Sequence, residues 1–183
     1  GIVMASGTYP AQELKDQIIE LIKKKCSCPI VEIADTSIFF PSISLENNLT
    51  TGTLTEHLIS VHNYKHICYL GSKTERYFSD KRAQAFRDVM IQHGYTIGDH
   101  DMFDTTITEE GVREAFDYFC EGSDKLPEAV VCYNDKMALL FTVIAIRKGY
   151  RIPEDIALVG CDALPEGQNM TAPLTTVSFP TYQ

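Results

Sequence analysis

The sequence lacks the features of proteins that cross membranes or bind nucleic acid. No apolar run approaches the roughly 20 residues of a membrane-spanning helix, so no contact with a membrane is expected. The formal charge is −9, from 25 acidic and 16 basic residues, whereas nucleic-acid-binding domains usually carry a basic patch. The longest basic run, Lys23-Lys24-Lys25, lies at a predicted helix end, where cations complement the helix dipole. We therefore expect that this polypeptide does not bind DNA by itself.

Common signatures of enzymes and metal sites are also missing. The patterns G-x-S-x-G, G-x-x-x-x-G-K-[ST], G-x-G-x-x-G and H-E-x-x-H do not occur. The five histidines are scattered, and Cys26-Ser27-Cys28 has no partner pair that would complete a zinc site. We expect no catalytic residue, no metal site and no cofactor.

The six cysteines do not suggest a disulfide framework. Cys68, Cys132 and Cys161 lie on or beside predicted buried strands, where a free cysteine behaves as a small hydrophobic residue. The chain also begins without the basic segment and apolar core of a secretory signal. We expect reduced thiols and a cytoplasmic location.

Residues 127–164 predict a strand, a helix and a second strand in succession. The apolar run 129–132 has the length and β-branching of a buried strand, and 156–160 repeats this pattern after an amphipathic helix. Polar residues follow both strands, among them Asp162. Because ligands of open parallel sheets bind beyond the carboxyl ends of the strands, we expect a binding site there.

The remaining chain extends this α/β pattern, and its 44% hydrophobic content indicates a folded protein. Residues 1–64 predict part of a first lobe, 65–172 a second lobe with a parallel sheet covered by helices, and 173–183 a crossover back to the first lobe. The predicted strands are 2–4, 29–33, 42–45, 66–71, 102–103, 129–132 and 156–160, and the predicted helices are 11–25, 47–59, 80–93, 108–120 and 135–149.

Three blocks of sequence together resemble a known family. They are V-C-Y-N-D-K-M-A at 131–138, G-Y-R-I-P-E-D-I-A-L-V-G-C-D at 149–162 and A-P-L-T-T-V-x-x-P at 172–180. In order and spacing they are similar to the effector-binding domain of the lactose/galactose repressor (LacI/GalR) family. The resemblance implies an α/β, two-lobed, periplasmic-binding-protein-like fold. The DNA-binding headpiece and the start of the first lobe have no counterpart here, so the chain looks like a piece of a longer protein with an incomplete first lobe.

The resemblance implies two charged contacts to an effector. The family pattern R-x-x-G-F corresponds to Arg82-Ala83-Gln84-Ala85-Phe86, with alanine for glycine, and its arginine contacts the effector. The family's G-F-D-D corresponds to Gly160-Cys161-Asp162-Ala163, which keeps the first aspartate, the one that binds the effector, and loses the second. From the residues alone, Arg82 could instead be a solvated helix arginine, and Asp162 could cap the following turn.

Two asparagines are further candidates. Asn134 belongs to an N-D pair whose asparagine often reaches the ligand in the family, while Asp135 is expected to cap its own helix. Asn47 stands where the family usually has aspartate, which puts an acidic contact in doubt. Asn47 and its neighbour Asn48 could simply cap the helix that follows.

Three aromatic residues are placed on loops at the carboxyl ends of strands. Aromatic faces stack on sugar rings or bases, so Tyr77, Phe78 and Tyr133 would suit a ligand cleft. Packing within the protein is an equally good interpretation of all three.

The combined prediction is a non-enzymatic sensor for a small polar effector, a sugar or a related metabolite. Arg82, Asn134 and Asp162 would hold the effector between two lobes, and the family implies a homodimer that contacts DNA only through the absent headpiece. The departures from the family at Asn47, Asn63-Tyr64 and Ala163 leave room for a sensor attached to a signalling enzyme such as a diguanylate cyclase. A small α/β sugar or nucleotide enzyme, with Asp162 or Asp135 as a base, and an interaction module without ligand remain alternatives.

Overall fold

The computed structural model forms two compact units, Gly1–Glu46 and Asn47–Gln183. Among the residues that it describes, no helix is both long and apolar enough to cross a bilayer. The described residues are 1–5, 12–33, 39–44, 47–74, 76–121 and 125–179.

The first unit is a small parallel sheet with one described helix. Its strands run in the order β1-β2-β3, and both neighbouring pairs are parallel. Lys15 of the helix forms an ion pair with the buried Glu32 on the central strand, at 3.1 Å. The elements are β1 (Ile2–Ala5), α1 (Gln12–Lys25), β2 (Ile30–Ile33) and β3 (Ser42–Ile43).

The second unit is a five-stranded parallel sheet flanked by helices. Its elements are α2 (Asn47–Ser60), β4 (Ile67–Ser72), α3 (Arg76–Gln92), β5 (Met102–Thr105), α4 (Glu109–Phe116), β6 (Ala129–Cys132), α5 (Asp135–Arg147), β7 (Ala157–Cys161), α6 (Pro165–Gln168) and β8 (Thr175–Val177). The strand order is β5-β4-β6-β7-β8, and every pair is parallel. The chain therefore changes direction across the sheet between β4 and β6, which makes the carboxyl ends of these two strands the topological switch point.

Alternate residues of the strands face two different hydrophobic clusters. On β4, Leu70 packs with Phe116 and Phe141 beneath α4 and α5. The next residue back, Tyr69, packs with Phe86 on the opposite face, beneath α2 and α3. The sheet is buried on both faces, as the continuous apolar strand runs predict.

Local capping explains where two helices begin. The Thr108 hydroxyl accepts a hydrogen bond from Gly111 N–H at the start of α4. The Asn134 side chain accepts one from Met137 N–H at the start of α5. At the other end of α5, Gly149 adopts a φ of 91°, a left-handed conformation that suits glycine. The predicted stop of this helix at Lys148-Gly149 is confirmed.

The parallel α/β fold predicted from the sequence is confirmed, but several elements differ from the prediction. The second unit begins at Asn47, earlier than residue 65, because Leu54 and Leu58 of α2 are buried in its core. Thr175–Val177 is an edge strand of the second sheet, within the segment expected to cross back to the first lobe. Helix α3 begins at Arg76, before the predicted start at residue 80. Phe78 packs on the core and Ser79 is buried, so this segment is helix and not loop.

Candidate functional site

Arg82 lies at the switch point of the second sheet. It projects from α3, which follows β4, and a guanidinium N–H donates to the main-chain oxygen of Tyr133, directly after β6. The guanidinium carbon also lies 4.5 Å from the centre of the Tyr133 ring, a cation–π distance. Arg82 is only 5% exposed, which excludes the alternative of a solvated helix arginine. Its charge is held in a fixed orientation beside the carboxyl ends of β4 and β6.

Asp162 brings a carboxylate to this arginine. Its Oδ1 lies 3.9 Å from Arg82 Nη2, and 38% of its side chain is exposed. Asp162 follows the last residue of β7, so the pair joins side chains from α3 and the end of a third strand. The carboxylate is an acceptor and the guanidinium a donor, which together match the vicinal hydroxyl groups of a polar ligand.

The backbone that carries Asp162 is in an unusual conformation. Asp162 and Ala163 have φ values of 114° and 52°, which residues other than glycine seldom adopt. Hydrogen bonds hold this turn: Asp162 N–H donates to Val177 O at 2.9 Å, and Ala163 N–H donates to Thr176 Oγ1 at 3.2 Å. Strain of this kind persists only where the surrounding structure enforces it.

The carboxylate of Asp135 also stabilises this turn. One carboxylate oxygen accepts from Leu164 N–H at 2.7 Å, and the other accepts from the Thr176 hydroxyl at 2.6 Å. The residue is fully buried. Asn134 is the cap of α5, so the expectation that Asp135 caps its own helix was wrong. Because Asp135 is buried and both of its oxygens are engaged, it has no access to a substrate as a general base.

Asn134 follows Tyr133 and therefore lies next to the carbonyl group that Arg82 binds. Its side-chain oxygen is used as the helix cap, at 3.1 Å from Met137 N. An amide side chain keeps two N–H donors when its oxygen is engaged. Asn134 can therefore act as a structural cap and as a hydrogen-bond donor at the same time.

The predicted aromatic residues have different surroundings. Tyr133 is buried in the core and is 3% exposed, while Phe78 is partly buried against the same cluster. The side chains of Tyr77 and Asn47 lie outside the described part of the structure. Phe179, which was not predicted, brings its ring centre to 5.8 Å from the Arg82 guanidinium. Arg82 is therefore flanked by two aromatic rings, from Tyr133 and Phe179.

Burial raises the pKa of the Cys161 thiol to about 11, although the positive charge of Arg82 acts in the opposite direction. Cys161 is the last residue of β7 and is 1% exposed. The thiol is therefore neutral near pH 7, and it acts as a packing group next to Asp162.

A separate cavity of about 330 Å³ lies near the amino ends of β7 and β8, where Ala157 and Thr175 line it. Most of its other lining residues are apolar, including Leu58, Met170 and Pro173. It contains none of the charged groups around Arg82. The charged groups around Arg82 lie instead at the carboxyl edge of the sheet.

Sequence reasoning missed Thr176 and Phe179 as parts of this region. Both fall in the block at 172–180, which was interpreted as a crossover segment. The only signal for them was their position in that block, because neither a threonine nor a phenylalanine predicts its contacts by residue type alone.

A model of a known protein family matches most of the chain. The family described as "Periplasmic binding protein-like domain" matches residues 55–183. This match covers nearly all of the second unit.

Individual proteins support the same relationship. The "HTH-type transcriptional repressor PurR" of Photobacterium profundum is 26% identical over 171 residues, and the repressor of the same name from Mannheimia succiniciproducens is 29% identical over 168 residues. The two alignments cover 92% and 90% of this chain, and 50% and 49% of the relatives. The chain therefore spans about half the length of the curated relatives that it matches.

A solved structure shows the same fold. It is a "sugar-binding transcriptional regulator (LacI family)" from Escherichia coli, solved in complex with phosphate. The TM-score is 0.83 at 20% identity, with 98% of this chain and 63% of that chain covered. These comparisons confirm the resemblance to the LacI/GalR effector-binding domain that the sequence predicted.

Proposed function

Because the chain belongs to the periplasmic binding protein-like domain family, we propose that it is the effector-sensing part of a LacI-type transcriptional regulator. Its effector is a small polar molecule, a sugar or a related metabolite. It binds at the carboxyl edge of the second sheet, where Arg82, Asn134 and Asp162 supply the polar contacts. The single observation that carries this proposal is the position of Arg82, held across the switch point against Tyr133 O and beside Asp162.

The chemistry of these groups favours a ligand with several hydroxyl groups. A carboxylate accepts two hydrogen bonds from vicinal hydroxyls, and a guanidinium donates to a neighbouring oxygen. The rings of Tyr133 and Phe179 flank the guanidinium, and Phe179 offers a partly exposed aromatic surface for a sugar ring or a base. One structural neighbour is described as sugar-binding, which agrees with this class of effector.

The activity of the sensor is binding without turnover. Its buried Asp135 is committed to Thr176 and Leu164, and the relatives are repressors. Effector binding shifts the protein toward the conformation that binds it better. In the longer protein, a DNA-binding module reads that shift, and the regulator works as a cytoplasmic homodimer.

A thermal-shift screen tests the proposal. The chain is heated with a panel of mono- and disaccharides, and separately with nucleobases and nucleosides, and each mixture is then analysed for chemical change. We expect at least one compound to raise the melting temperature in wild type but not in Asp162→Asn, and to be recovered unchanged. Conversion of that compound to a product would contradict a sensor, and so would a shift that is unaltered in Asp162→Asn.

A further inference from the structure

A second group of polar side chains lies at the opposite edge of the same sheet. His66 directly precedes β4, Cys68 is the second residue of that strand, and Asp101 directly precedes the neighbouring strand β5. One donor atom from each of these residues lies within 4.8 Å of the donor atoms of the other two. The site is thus built from residues next to the amino ends of two paired strands, far in sequence from Asp162.

We propose that His66 Nε2, Cys68 Sγ and Asp101 Oδ1 bind a divalent transition-metal ion such as Zn²⁺. The distances fit this interpretation. Ligand atoms around a tetrahedral zinc ion are separated by about 3.3–3.6 Å, given zinc–ligand bonds of about 2.0–2.3 Å. His66 Nε2 lies 3.4 Å from Asp101 Oδ1 and 3.9 Å from Cys68 Sγ. All three donor atoms lie within 4.8 Å of one another, so an inward movement of the Cys68 sulfur would bring them to binding distance of one ion.

The imidazole of His66 is oriented for metal binding. Its Nδ1 lies 3.2 Å from the main-chain oxygen of Leu126. A carbonyl oxygen can only accept, so Nδ1 carries the proton, and in the neutral ring the lone pair of Nε2 points toward Cys68 and Asp101. The backbone of His66 is also fixed, because its N–H donates to the Glu128 carboxylate at 2.9 Å.

The carboxylate of Asp101 is oriented in the same way. Its Oδ2 accepts a hydrogen bond from Gly98 N–H at 2.6 Å, which leaves Oδ1 directed at His66. Outer partners that hold a histidine and a carboxylate in this manner are typical of protein metal sites. The chain therefore provides both the ligands and the groups that orient them.

The kind of ion follows from the ligand atoms and their exposure. A thiolate with an imidazole favours Zn²⁺, Co²⁺ or similar ions over Mg²⁺ and Ca²⁺, which prefer oxygen ligands. The side chains of His66 and Asp101 are 22% and 18% exposed, so an ion can enter and water can take the fourth position. The bound ion would join β4 to the start of β5 and stabilise this edge of the sheet.

Cobalt titration of the 183-residue chain tests the site, in a Cys26→Ser/Cys28→Ser background that removes two exposed thiols. We expect one equivalent of Co²⁺ to produce thiolate-to-cobalt charge-transfer absorption, and Zn²⁺ to raise the melting temperature reversibly with a chelator. Asp101→Asn and Cys68→Ser should each weaken Co²⁺ binding by at least about tenfold, since even outer partners contribute that much. Asp101 is partly exposed, so its variant is expected to fold.

Two variants serve as matched controls. Cys132→Ser alters another buried strand thiol on the same face of the sheet. His57→Gln removes one partner of the His57–His62 pair, whose Nε2 atoms lie 3.1 Å apart and form another place where a cation could bind. Both controls should bind Co²⁺ like the background protein. The proposal is overturned if the charge-transfer band is absent, if it persists in Cys68→Ser, or if only His57→Gln abolishes the effect of zinc.

Discussion

The guanidinium of Arg82 donates a hydrogen bond to the main-chain oxygen of Tyr133 and lies 4.5 Å from the centre of the same residue's ring. Arg82 lies on α3, the helix that follows β4. It therefore contacts the residue that directly follows the neighbouring strand β6 in two ways. This fixed arginine places a positive charge at the carboxyl edge of the sheet.

Arg82→Lys should weaken effector binding although it keeps the charge. Lysine is a point charge that cannot reproduce both the planar stacking on Tyr133 and the forked donor geometry. Loss of a charge-assisted hydrogen bond costs about 1.5–3 kcal/mol, which corresponds to roughly 10- to 150-fold in affinity. Calorimetric titration with the compound found in the thermal-shift screen measures this change. The matched control is Arg87→Lys, an exposed arginine on the same helix; equal affinities of the two variants would contradict the role of Arg82.

Asp135→Asn should destabilise the protein by about 1.5–3 kcal/mol. The carboxylate accepts hydrogen bonds from two donors, whereas the asparagine amide has only one acceptor oxygen and would point its NH2 group at the other donor. The two donors are Leu164 N–H and the Thr176 hydroxyl. Urea unfolding followed by circular dichroism measures the free energy. Thr176→Val should cost less, and its effect should not add fully to that of Asp135→Asn since they share one hydrogen bond. An exposed control, Asp88→Asn, should change stability little; full additivity of the first two changes would argue against the shared bond.

Two glycine-to-alanine changes should have opposite effects on stability. At Gly160 an added Cβ would lie 3.0 Å from Asp135 Cα and would also meet its carboxylate, so Gly160→Ala should destabilise by about 1–3 kcal/mol through overpacking. Gly52 lies within helix α2, where the nearest atom to a new Cβ is Val89 Cγ2 at 3.7 Å. Gly52→Ala should stabilise by roughly 0.5–1 kcal/mol through helix propensity. Thermal and urea unfolding of the two variants check both signs.

The Cys161 thiol should make the folded state less stable at alkaline pH. Its folded pKa is raised to about 11 by burial, from an ordinary value of 9.0. Above pH 9 the unfolded chain loses this proton more readily than the folded protein does. The contribution of the thiol to the free energy of unfolding is therefore fully present below pH 9 and is lost as the pH rises toward 11. Urea unfolding from pH 8 to 11 should show a steeper loss in wild type than in Cys161→Ala.

Thiol labelling provides an independent check on burial. At pH 8, the exposed Cys26 and Cys28 should react rapidly with a disulfide reagent, while Cys132 and Cys161 should react only on unfolding. Rapid labelling of Cys161 in the folded protein would show that the carboxyl end of β7 is more open than the structure indicates.

Much of the fold follows from short-range patterns in the sequence. The apolar runs at 129–132 and 156–160 predict β6 and β7 nearly to the residue, and Lys148-Gly149 predicts the end of α5. These features depend on neighbouring residues, because strand burial, helix caps and glycine turns are local properties. The three sequence blocks also predicted the family, which the comparisons confirm.

The side-chain arrangements of the two proposed sites depend on tertiary structure. Asp135 meets Leu164 and Thr176 across 29 and 41 positions of sequence, and His66 meets Asp101 on a neighbouring strand. The sequence predicted that Arg82 and Asp162 would be near each other only through the family resemblance. Side-chain pairs of this kind depend on the register of the strands and on how helices pack against the sheet. No local sequence pattern predicts such pairs. Residue type alone therefore does not distinguish the helix cap Asn134, the buried hydrogen-bond acceptor Asp135 and the proposed metal ligand Asp101.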